Sequence, residues 1–335
     1  MKYLTKSDHS DIYEDQDPIH GHVAIKKLGA RKDGDWLIRQ KQGYDIISEM
    51  IEKFGWDKIG VNLPQLISMS DTGKASDENS TITEKFINGK SFRDVNYESL
   101  SEQQKDELAK QIALFLNSMH QLHEPQKPIE SIKITWEREK VMEEINTLSQ
   151  TVDAFEGKLS KQSKKLVSDA ENYLKTHPID DEIHVMTHWD LHRSNLMYDA
   201  DKNQITVIDF ELARIDNIYR DFVPYMATAT LPWDFYKRII KSYNTVPNKE
   251  YPISIDIEKV KNAIIYDAAR INARDIELHF KGDVDFAVRK MEEFLKQFVS
   301  DNSENFLAAS KKLKSKSAEE KTVVSGFIKK SFQND

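Results

Sequence analysis

Three side chains that carry oxygen atoms lie close together in one central stretch of the sequence. Asp190 and Asn195 belong to a polar loop, and Asp209 follows after one hairpin. The loop reads His188-Trp189-Asp190-Leu191-His192-Arg193-Ser194-Asn195, and the second piece reads Ile208-Asp209-Phe210-Glu211. Carboxylate and amide oxygens are ligands that Mg²⁺ prefers. Phosphoryl transfer needs such a metal on the phosphate oxygens and a carboxylate that takes the proton of the acceptor hydroxyl, so this set suits that reaction.

The residue types predict unequal roles within this set. Asp190 is the candidate catalytic base, and Asn195 and Asp209 are the candidate metal ligands. His188 and Trp189 are expected to support the loop rather than to react. The elements around the loop must therefore hold one base and two ligands near one point.

The sequence before residue 90 has the pattern of a small antiparallel sheet with one helix. Apolar patterns predict strands over three stretches, residues 21–28, 36–38 and 82–87. A helix is predicted over about residues 44–54. The turn signal Asn88-Gly89 marks the end of this first lobe.

Beyond that turn the pattern becomes mainly helical. Ser101 and Gln104 form a predicted capping box, behind which apolar residues recur at steps of three and four. After a short predicted strand over residues 183–186 and the polar loop, a hairpin is expected to pair residues 196–198 with 205–208. Further helices are predicted over about residues 136–175 and from about residue 219 onward.

The composition limits the class of protein. The chain has 335 residues, of which 39% are hydrophobic, and this suits two lobes around a cleft better than one compact core. No apolar run approaches the roughly 20 residues that cross a bilayer, so we expect no membrane partner. The absence of cysteine excludes disulfides and fits a cytoplasmic location. The net charge of −8 argues against a nucleic-acid partner.

The two central motifs resemble those of the aminoglycoside/macrolide phosphotransferase and choline kinase superfamily, relatives of the protein kinases. That superfamily carries His-x-Asp-x-x-x-x-Asn, followed by a hydrophobic residue, Asp, Phe or Trp, and Glu or Gly. The resemblance implies an α+β, bilobal protein-kinase-like fold, with a small N-terminal antiparallel sheet lobe that has one helix and a larger, mainly helical C-terminal lobe. One position departs from the pattern, because the family usually has a small residue, often Gly, where this chain has Trp189. We expect this ring to narrow or line the acceptor side.

The resemblance also implies a division of labour along the chain. Residues 1–90 would form the nucleotide-binding lobe that ends in a hinge, and residues 91–303 the catalytic and substrate lobe. Residues 304–335 would form a basic helical or flexible tail. This tail contains Lys311, Lys312, Lys314 and Lys316. Such a run of lysines is more typical of a solvated helix face than of a site for an anionic partner.

The hinge of this family resembles the stretch Glu84-Lys85-Phe86-Ile87-Asn88-Gly89. A strand in this place reads the nucleotide base through its backbone. The resemblance therefore implies that Glu84, Phe86 and Ile87 belong to the nucleotide site.

Two basic residues are candidates for gripping the phosphates of the nucleotide. Val23-Ala24-Ile25-Lys26 matches the protein-kinase strand motif, but it lies far from the predicted helix. Trp36-Leu37-Ile38-Arg39 resembles a stretch of macrolide phosphotransferases, and Glu49 then falls on the helix as the expected partner. We favour Arg39 with Glu49 over Lys26. Arginine can serve because it stays charged and offers a forked pair of donors.

The acceptor is less sharply indicated by the sequence. Asp267 and Arg274 fall near the apolar stripe of a predicted helix, where a paired, partly buried position is expected. Asp221 is expected to cap a following helix. His192 and Arg193 lie beside the base, where phosphate contact and solvation are equally open.

The resemblance implies an ATP- or GTP-dependent, Mg²⁺-dependent phosphotransferase that acts on a small-molecule hydroxyl. The acceptor would be an antibiotic such as a macrolide or an aminoglycoside, which would give an antibiotic-resistance role. The alternatives are a kinase for a metabolite such as choline, a sugar or homoserine, a protein-directed kinase-like enzyme, and a nucleotide-binding pseudokinase. The complete trio at 190, 195 and 209 argues against the last of these.

Overall fold

The computed structural model describes residues 1–6, 10–28, 36–70, 80–125, 183–222, 231–247, 250–260 and 263. The chain divides into two compact units, one of residues 1–134, 182–224 and 234–256, the other of residues 135–181, 225–233 and 257–335. The predicted helix over 136–175, the pair Asp267 and Arg274, and the basic tail lie outside the described residues. The boundaries at residues 90 and 303 stay a prediction.

A five-stranded antiparallel sheet forms the N-terminal part of the first unit. Its strands are β1 (Lys2–Lys6), β2 (Ser10–Asp17), β3 (Gly21–Leu28), β4 (Leu66–Ser70) and β5 (Thr81–Lys85). They lie in the order β1-β2-β3-β5-β4. The predicted strands over 21–28 and 82–87 are thereby confirmed, the second in all but its last two residues.

Helix α1 (Trp36–Phe54) begins eight residues before the predicted start at 44, so the predicted strand over 36–38 is wrong. Three apolar residues in a row carry no periodicity of their own, and the longer pattern decides their structure. The buried residues of the helix recur at steps of three and four, and they are Trp36, Gln40, Gly43, Tyr44, Ile47 and Met50. Arg39 therefore lies on a helix and not on a strand. A short helix, α2 (Trp56–Ile59), follows.

The remaining strands and α-helices described in the first unit lie around the polar loop of residues 188–195, called the catalytic loop below. They are β6 (Lys90–Ser91), α3 (Glu102–His120), β7 (His184–Thr187), β8 (Leu196–Asp199), β9 (Gln204–Val207), β10 (Arg214–Asn217) and α4 (Trp233–Asn244). Strands β6, β8 and β9 form one sheet, and β7 pairs with β10. The capping box of α3 is confirmed, because Gln104 N–H donates to Ser101 Oγ and Ser101 N–H donates to Gln104 Oε1. The predicted hairpin is β8 with β9.

Two backbone features join the N-terminal elements to this hairpin. Gly89 has φ 118°, and a Cβ there would lie 2.5 Å from the Tyr198 carbonyl oxygen, so only glycine lets β6 approach β8. Asn62 forms a parallel bridge to Thr206. Its N–H donates to Ile205 O at 2.9 Å, and its carbonyl accepts from Val207 N–H at 3.1 Å. The β8–β9 hairpin, which precedes Asp209, is thus held by contacts with the segments around Gly89 and Asn62.

The buried core of the first unit lies between α3, the hairpin and α4. Its fully enclosed side chains include Phe92, Leu108, Ile112, Phe115, Met119, Leu196, Ile205, Val207, Phe222, Phe235 and Tyr243. Burial of apolar surface on this scale supplies the main force that holds the loop in place. Among the described helices, none has the length and apolar character to cross a membrane.

Candidate active site

The carboxylate of Asp221 accepts hydrogen bonds from the backbone of the catalytic loop. The residue lies in a 3₁₀ turn (Ile218–Phe222), and its Oδ1 accepts the Trp189 N–H at 2.8 Å. Its Oδ2 accepts the His188 N–H at 3.2 Å and lies 3.2 Å from His120 Nε2. Both oxygens are therefore used by the loop and by helix α3. The helix that Asp221 is predicted to cap would follow at residues outside the described ranges, so the capping role stays a prediction.

The side chain of Asp190 is held by two neighbours. Asn195 Nδ2 donates to the Asp190 carbonyl at 3.0 Å and to Asp190 Oδ2 at 3.1 Å. His192 Nε2 lies 3.3 Å from the same Oδ2. His192 Nδ1 accepts the Ser194 N–H at 3.1 Å, so Nε2 carries the ring proton and donates to Asp190.

These contacts decide the charge of Asp190. Burial alone would raise its pKa, but the hydrogen bonds from His192 and Asn195 bring the pKa below its ordinary value. Asp190 is therefore ionised at neutral pH and can accept a hydrogen bond from a hydroxyl group. This is the state that a general base requires.

Asp209 lies two residues after the end of β9 and has φ 68°, in the left-handed region. The Ile208 N–H donates to the Asn195 carbonyl at 3.0 Å, which places the residue before Asp209 next to Asn195. Burial and the carboxylates of Asp190 and Glu84 raise the pKa of Asp209, although the charge of Lys26 opposes this. A cation bound beside Asp209 would favour the ionised form of this carboxylate, because opposite charges attract.

The donor set fits Mg²⁺ rather than a transition metal. Within the described ranges no group of three or more His, Asp or Glu side chains is arranged to hold a metal by itself. Mg²⁺ needs no such cage, because it usually binds one or two carboxylate groups and takes its other ligands from water and phosphate. The carboxylate of Asp209 and the amide oxygen of Asn195 can supply this part.

His188 is fully buried and supports the loop from inside. Its Nε2 donates to the Ile208 carbonyl at 3.0 Å, and its ring packs edge-on against Phe210 and Phe115 at centroid distances of 4.7 Å and 6.2 Å. Burial lowers the pKa of His188, although the charge of Asp221 opposes this. The ring is therefore neutral, and it links the loop before Asp190 to the residue before Asp209.

Trp189 has φ 70°, a conformation that is uncommon for any residue other than glycine. Its Nε1 donates to Asp216 Oδ2 at 2.8 Å. The guanidinium carbons of Arg214 and Arg220 lie 4.0 Å and 4.3 Å from the centroid of its ring. The positive φ explains why a small residue is usual at this position in the superfamily that the sequence resembles. In this chain the contacts of the indole ring stabilise a tryptophan in the same conformation.

Lys26 lies on β3 and pairs with Glu84 of β5. Lys26 Nζ is 3.0 Å from Glu84 Oε2 and 3.1 Å from Oε1. Burial opposes the charge of Lys26, but the carboxylates of Glu84, Asp209 and Glu211 raise its pKa, so the ammonium group stays charged. A fixed positive charge therefore lies in the electrostatic field of the candidate metal ligand Asp209.

The structure does not bring Arg39 and Glu49 together. Both lie on α1, separated along its axis by about 15 Å. Glu49 is half exposed, and its Oε1 lies 3.5 Å from His123 Nδ1. The expected pair of Arg39 with Glu49 is therefore not formed, because the predicted strand before the helix is part of the helix.

Of the predicted hinge residues, Glu84 lies in β5, and Phe86 and Ile87 follow that strand directly. Phe86 N–H donates to the His22 carbonyl at 3.0 Å, and the two rings stack with centroids 3.8 Å apart. The Glu84 side chain faces Lys26. Among the three predicted hinge residues, Ile87 is therefore the one whose backbone N–H is a candidate for contact with the nucleotide base.

Helix α1 contributes two polar contacts that the sequence did not indicate. Gln40 Nε2 donates to Glu211 Oε2 at 2.8 Å, and the Tyr44 hydroxyl donates to Glu84 Oε1. Between them a Cβ on Gly43 would lie 2.9 Å from the Cβ of Phe210. Polar residues four apart on an otherwise apolar helix face were the available signal, since buried polar groups need partners.

Comparison with known proteins identifies the family. The family model described as "Phosphotransferase enzyme family" (APH) matches residues 56–250, more than half of the chain. No curated protein matches the chain significantly in sequence.

Three solved structures show the same fold at low sequence identity. Aminoglycoside phosphotransferase APH(2'')-Ib with ADP is 17% identical, with TM-score 0.54 and coverage of 91% of this chain and 93% of that chain. The streptomycin–ATP–APH(2'')-IIa ternary complex is 19% identical, with TM-score 0.53 and coverage of 91% and 92%. A mutant aminoglycoside 2'-phosphotransferase-IIIa with GDP is 16% identical, with TM-score 0.60 and coverage of 92% and 93%.

The α+β, bilobal protein-kinase-like fold that the sequence predicted is thereby confirmed. The chain is a phosphotransferase that uses an alcohol group of a small molecule as acceptor. It belongs to the phosphotransferase enzyme family that contains the aminoglycoside phosphotransferases.

Proposed function

We propose that the chain transfers the γ-phosphoryl group of ATP or GTP to a small-molecule hydroxyl at a site formed by Asp190, Asn195 and Asp209. The observation that carries this proposal is the state of Asp190. Its carboxylate is kept ionised by donors from His192 and Asn195, and Asn195 in turn lies beside Asp209. A base and a candidate cation site thus lie within one loop and one hairpin.

The nucleotide donor is supported by the solved relatives. The structure of APH(2'')-Ib contains ADP, that of APH(2'')-IIa contains ATP and that of the 2'-phosphotransferase-IIIa contains GDP. In this chain we assign the phosphates to Lys26, which is charged and lies in the field of Asp209. We prefer Lys26 to Arg39, because Lys26 has the carboxylate partner that Arg39 was expected to find in Glu49.

Asn195 and Asp209 would hold Mg²⁺. The metal, when bound, would supply positive charge that offsets the negative charge developing on the phosphate oxygens during transfer. Asp190 would orient the acceptor hydroxyl and take its proton. His192 would keep the Asp190 oxygen turned toward the acceptor, and His188 would fix the loop without exchanging protons.

The acceptor would be an antibiotic or a metabolite. The candidate classes are macrolides and aminoglycosides among antibiotics, and choline, sugars and homoserine among metabolites. We place the reaction in the cytoplasm, which the lack of cysteine favours.

The proposal is tested by offering the purified protein Mg²⁺ with ATP or GTP and a panel of macrolides, aminoglycosides, sugars and choline. Release of nucleoside diphosphate and the mass of the product are measured. We expect transfer to one class, and a loss of about 100-fold or more in kcat for Asp190→Asn with nucleotide affinity kept. Nucleotide binding without transfer to any compound would instead indicate a pseudokinase, and phosphorylation of a protein from a lysate would indicate a protein-directed enzyme.

A further inference from the structure

The carboxylate partner of Lys26 lies on the neighbouring strand of the sheet. Strands β3 and β5 are antiparallel neighbours, and Ala24 lies opposite Glu84 in their register. Lys26 is two residues from Ala24, so its side chain and that of Glu84 point to the same face of the sheet. The side chains are 17% and 5% exposed, so water and salt screen this ion pair only weakly.

Helix α1 reaches the same pair with a hydroxyl group instead of a carboxylate. The buried Tyr44 donates its O–H to Glu84 Oε1. Burial and the charge of Glu84 raise the pKa of Tyr44, so the hydroxyl keeps its proton. In protein kinases the strand lysine is paired with a glutamate from the helix. In this chain the glutamate comes from the sheet, and the helix supplies a donor to it.

We propose that Glu84 and Tyr44 are the positioning residues for Lys26, and this rests on the function proposed above for Lys26. Glu84 holds the Lys26 ammonium at two oxygens, at 3.0 Å and 3.1 Å. Tyr44 occupies one of these oxygens from the other side, which restricts rotation of the carboxylate. Because both charged partners lie on paired strands, the ion pair is assembled by the sheet register and needs no inward movement of α1.

The test separates recognition of phosphate from recognition of the nucleoside. Calorimetric titrations with Mg-ATP and with adenosine, or with Mg-GTP and guanosine if GTP is the donor, are made on Glu84→Gln and Tyr44→Phe. We expect Glu84→Gln to weaken nucleoside triphosphate binding by about tenfold and Tyr44→Phe by about threefold, with nucleoside binding changed less than twofold. In turnover, the KM for the nucleotide should rise more than kcat falls.

Glu52→Gln is the matched control, because Glu52 is an exposed carboxylate on the same helix, and it should bind both ligands like the parent. Thermal unfolding of each variant checks that it is folded. Tyr44→Phe decides the matter if Glu84→Gln does not fold, because it removes only one hydroxyl group.

Lys26→Met separates this inference from the proposed function. If Lys26→Met binds Mg-nucleotide like the parent, Lys26 does not hold the phosphates, and the proposed function loses that contact. If Lys26→Met binds weakly while Glu84→Gln and Tyr44→Phe bind normally, the positioning role is wrong and the proposed function stands. An equal loss of nucleoside and nucleotide affinity in the two variants would also overturn the positioning role, because it would indicate general damage to the site.

Discussion

At the scale of single residues, the site combines a carboxylate whose charge is unfavourable in the protein alone with one whose charge the protein favours. Asp209 is crowded by Asp190 and Glu84, and its pKa is raised, first by burial and then by these carboxylates. Asp190, in the loop before the β8–β9 hairpin, has a lowered pKa because His192 and Asn195 donate hydrogen bonds to it. This difference in pKa suits two different roles. Asp209 would be a metal ligand whose charge a bound cation stabilises, and Asp190 would be a base that is already ionised.

We expect Asp209→Asn to lose turnover and to gain stability. A carboxyl group whose pKa is raised on folding stabilises the fold below its unfolded pKa, and this contribution is lost as the pH rises through its folded pKa. At pH 7.5 without Mg²⁺ the ionised Asp209 is therefore unfavourable, and its removal should raise the free energy of unfolding. Asparagine also accepts the positive φ readily.

Urea denaturation at pH 7.5 and pH 5 measures this effect. The gain should shrink at the lower pH, because protonated Asp209 then resembles the amide. Asp201→Asn, on the exposed turn of the same hairpin, is the control and should change neither stability nor turnover. A variant that is less stable than the parent at pH 7.5 would contradict the electrostatic account of Asp209.

Trp189 is a second residue where two effects oppose each other. Trp189→Gly removes left-handed strain of about 1–2 kcal/mol. It also removes two guanidinium contacts, at about 0.5–2 kcal/mol each, and the hydrogen bond to Asp216. We expect a net destabilisation of about 1 kcal/mol and a lower kcat, measured by urea denaturation and product formation. An increase in stability would show that strain outweighs the contacts.

At the scale of elements, helix α1 packs against the segment that carries Asp209 and not only against the sheet. Gln40 binds Glu211, and Gly43 lies against Phe210, so the helix touches both residues that follow Asp209. This contact exists because one helical position has no side chain. The helix face and the metal ligand are therefore coupled mechanically.

Gly43→Ala tests this coupling. Alanine favours a helix over glycine by about 1 kcal/mol, but its Cβ would lie 2.9 Å from Phe210 Cβ and 3.0 Å from the Phe210 backbone. Overpacking of this kind costs about 1–3 kcal/mol, so we expect net destabilisation together with weaker Mg-nucleotide binding. Denaturation and calorimetry of this variant and of Glu52→Ala, an exposed site on the same helix, provide the comparison. Greater stability of Gly43→Ala would show that Phe210 yields easily.

The loop and hairpin of the site could be predicted from sequence because they are local. The residues from Ile183 to Asp209 carry strand, loop and turn signals within a short stretch, and the structure shows β7, the loop and the β8–β9 hairpin there. The pairing of Lys26 with Glu84 could not be predicted, because it depends on the register of strands that are far apart in the sequence. The roles of the residues stay predictions, although the structure brings Asp190, Asn195 and Asp209 together.

At the scale of the whole molecule, all described site residues belong to the first compact unit. A ligand that binds the folded state stabilises it by about 2.7 kcal/mol when its concentration is 100 times Kd. We therefore expect Mg-nucleotide to raise the Tm of the parent and of Asp190→Asn by similar amounts. Asp209→Asn should show a much smaller rise, because it lacks a metal ligand. If Asp190→Asn loses the rise in full, Asp190 binds the metal-nucleotide rather than acting only as a base.

The bridge between Asn62 and β9 has a consequence for amide exchange with deuterated water. Asn62 N–H donates to Ile205 O, and Val207 N–H donates to Asn62 O. Each amide proton can therefore exchange only when the backbone at Asn62 separates from β9. Their exchange rates should therefore change together under denaturant. Exchange at these two amide groups therefore measures whether the β8–β9 hairpin has separated from the segment before β4.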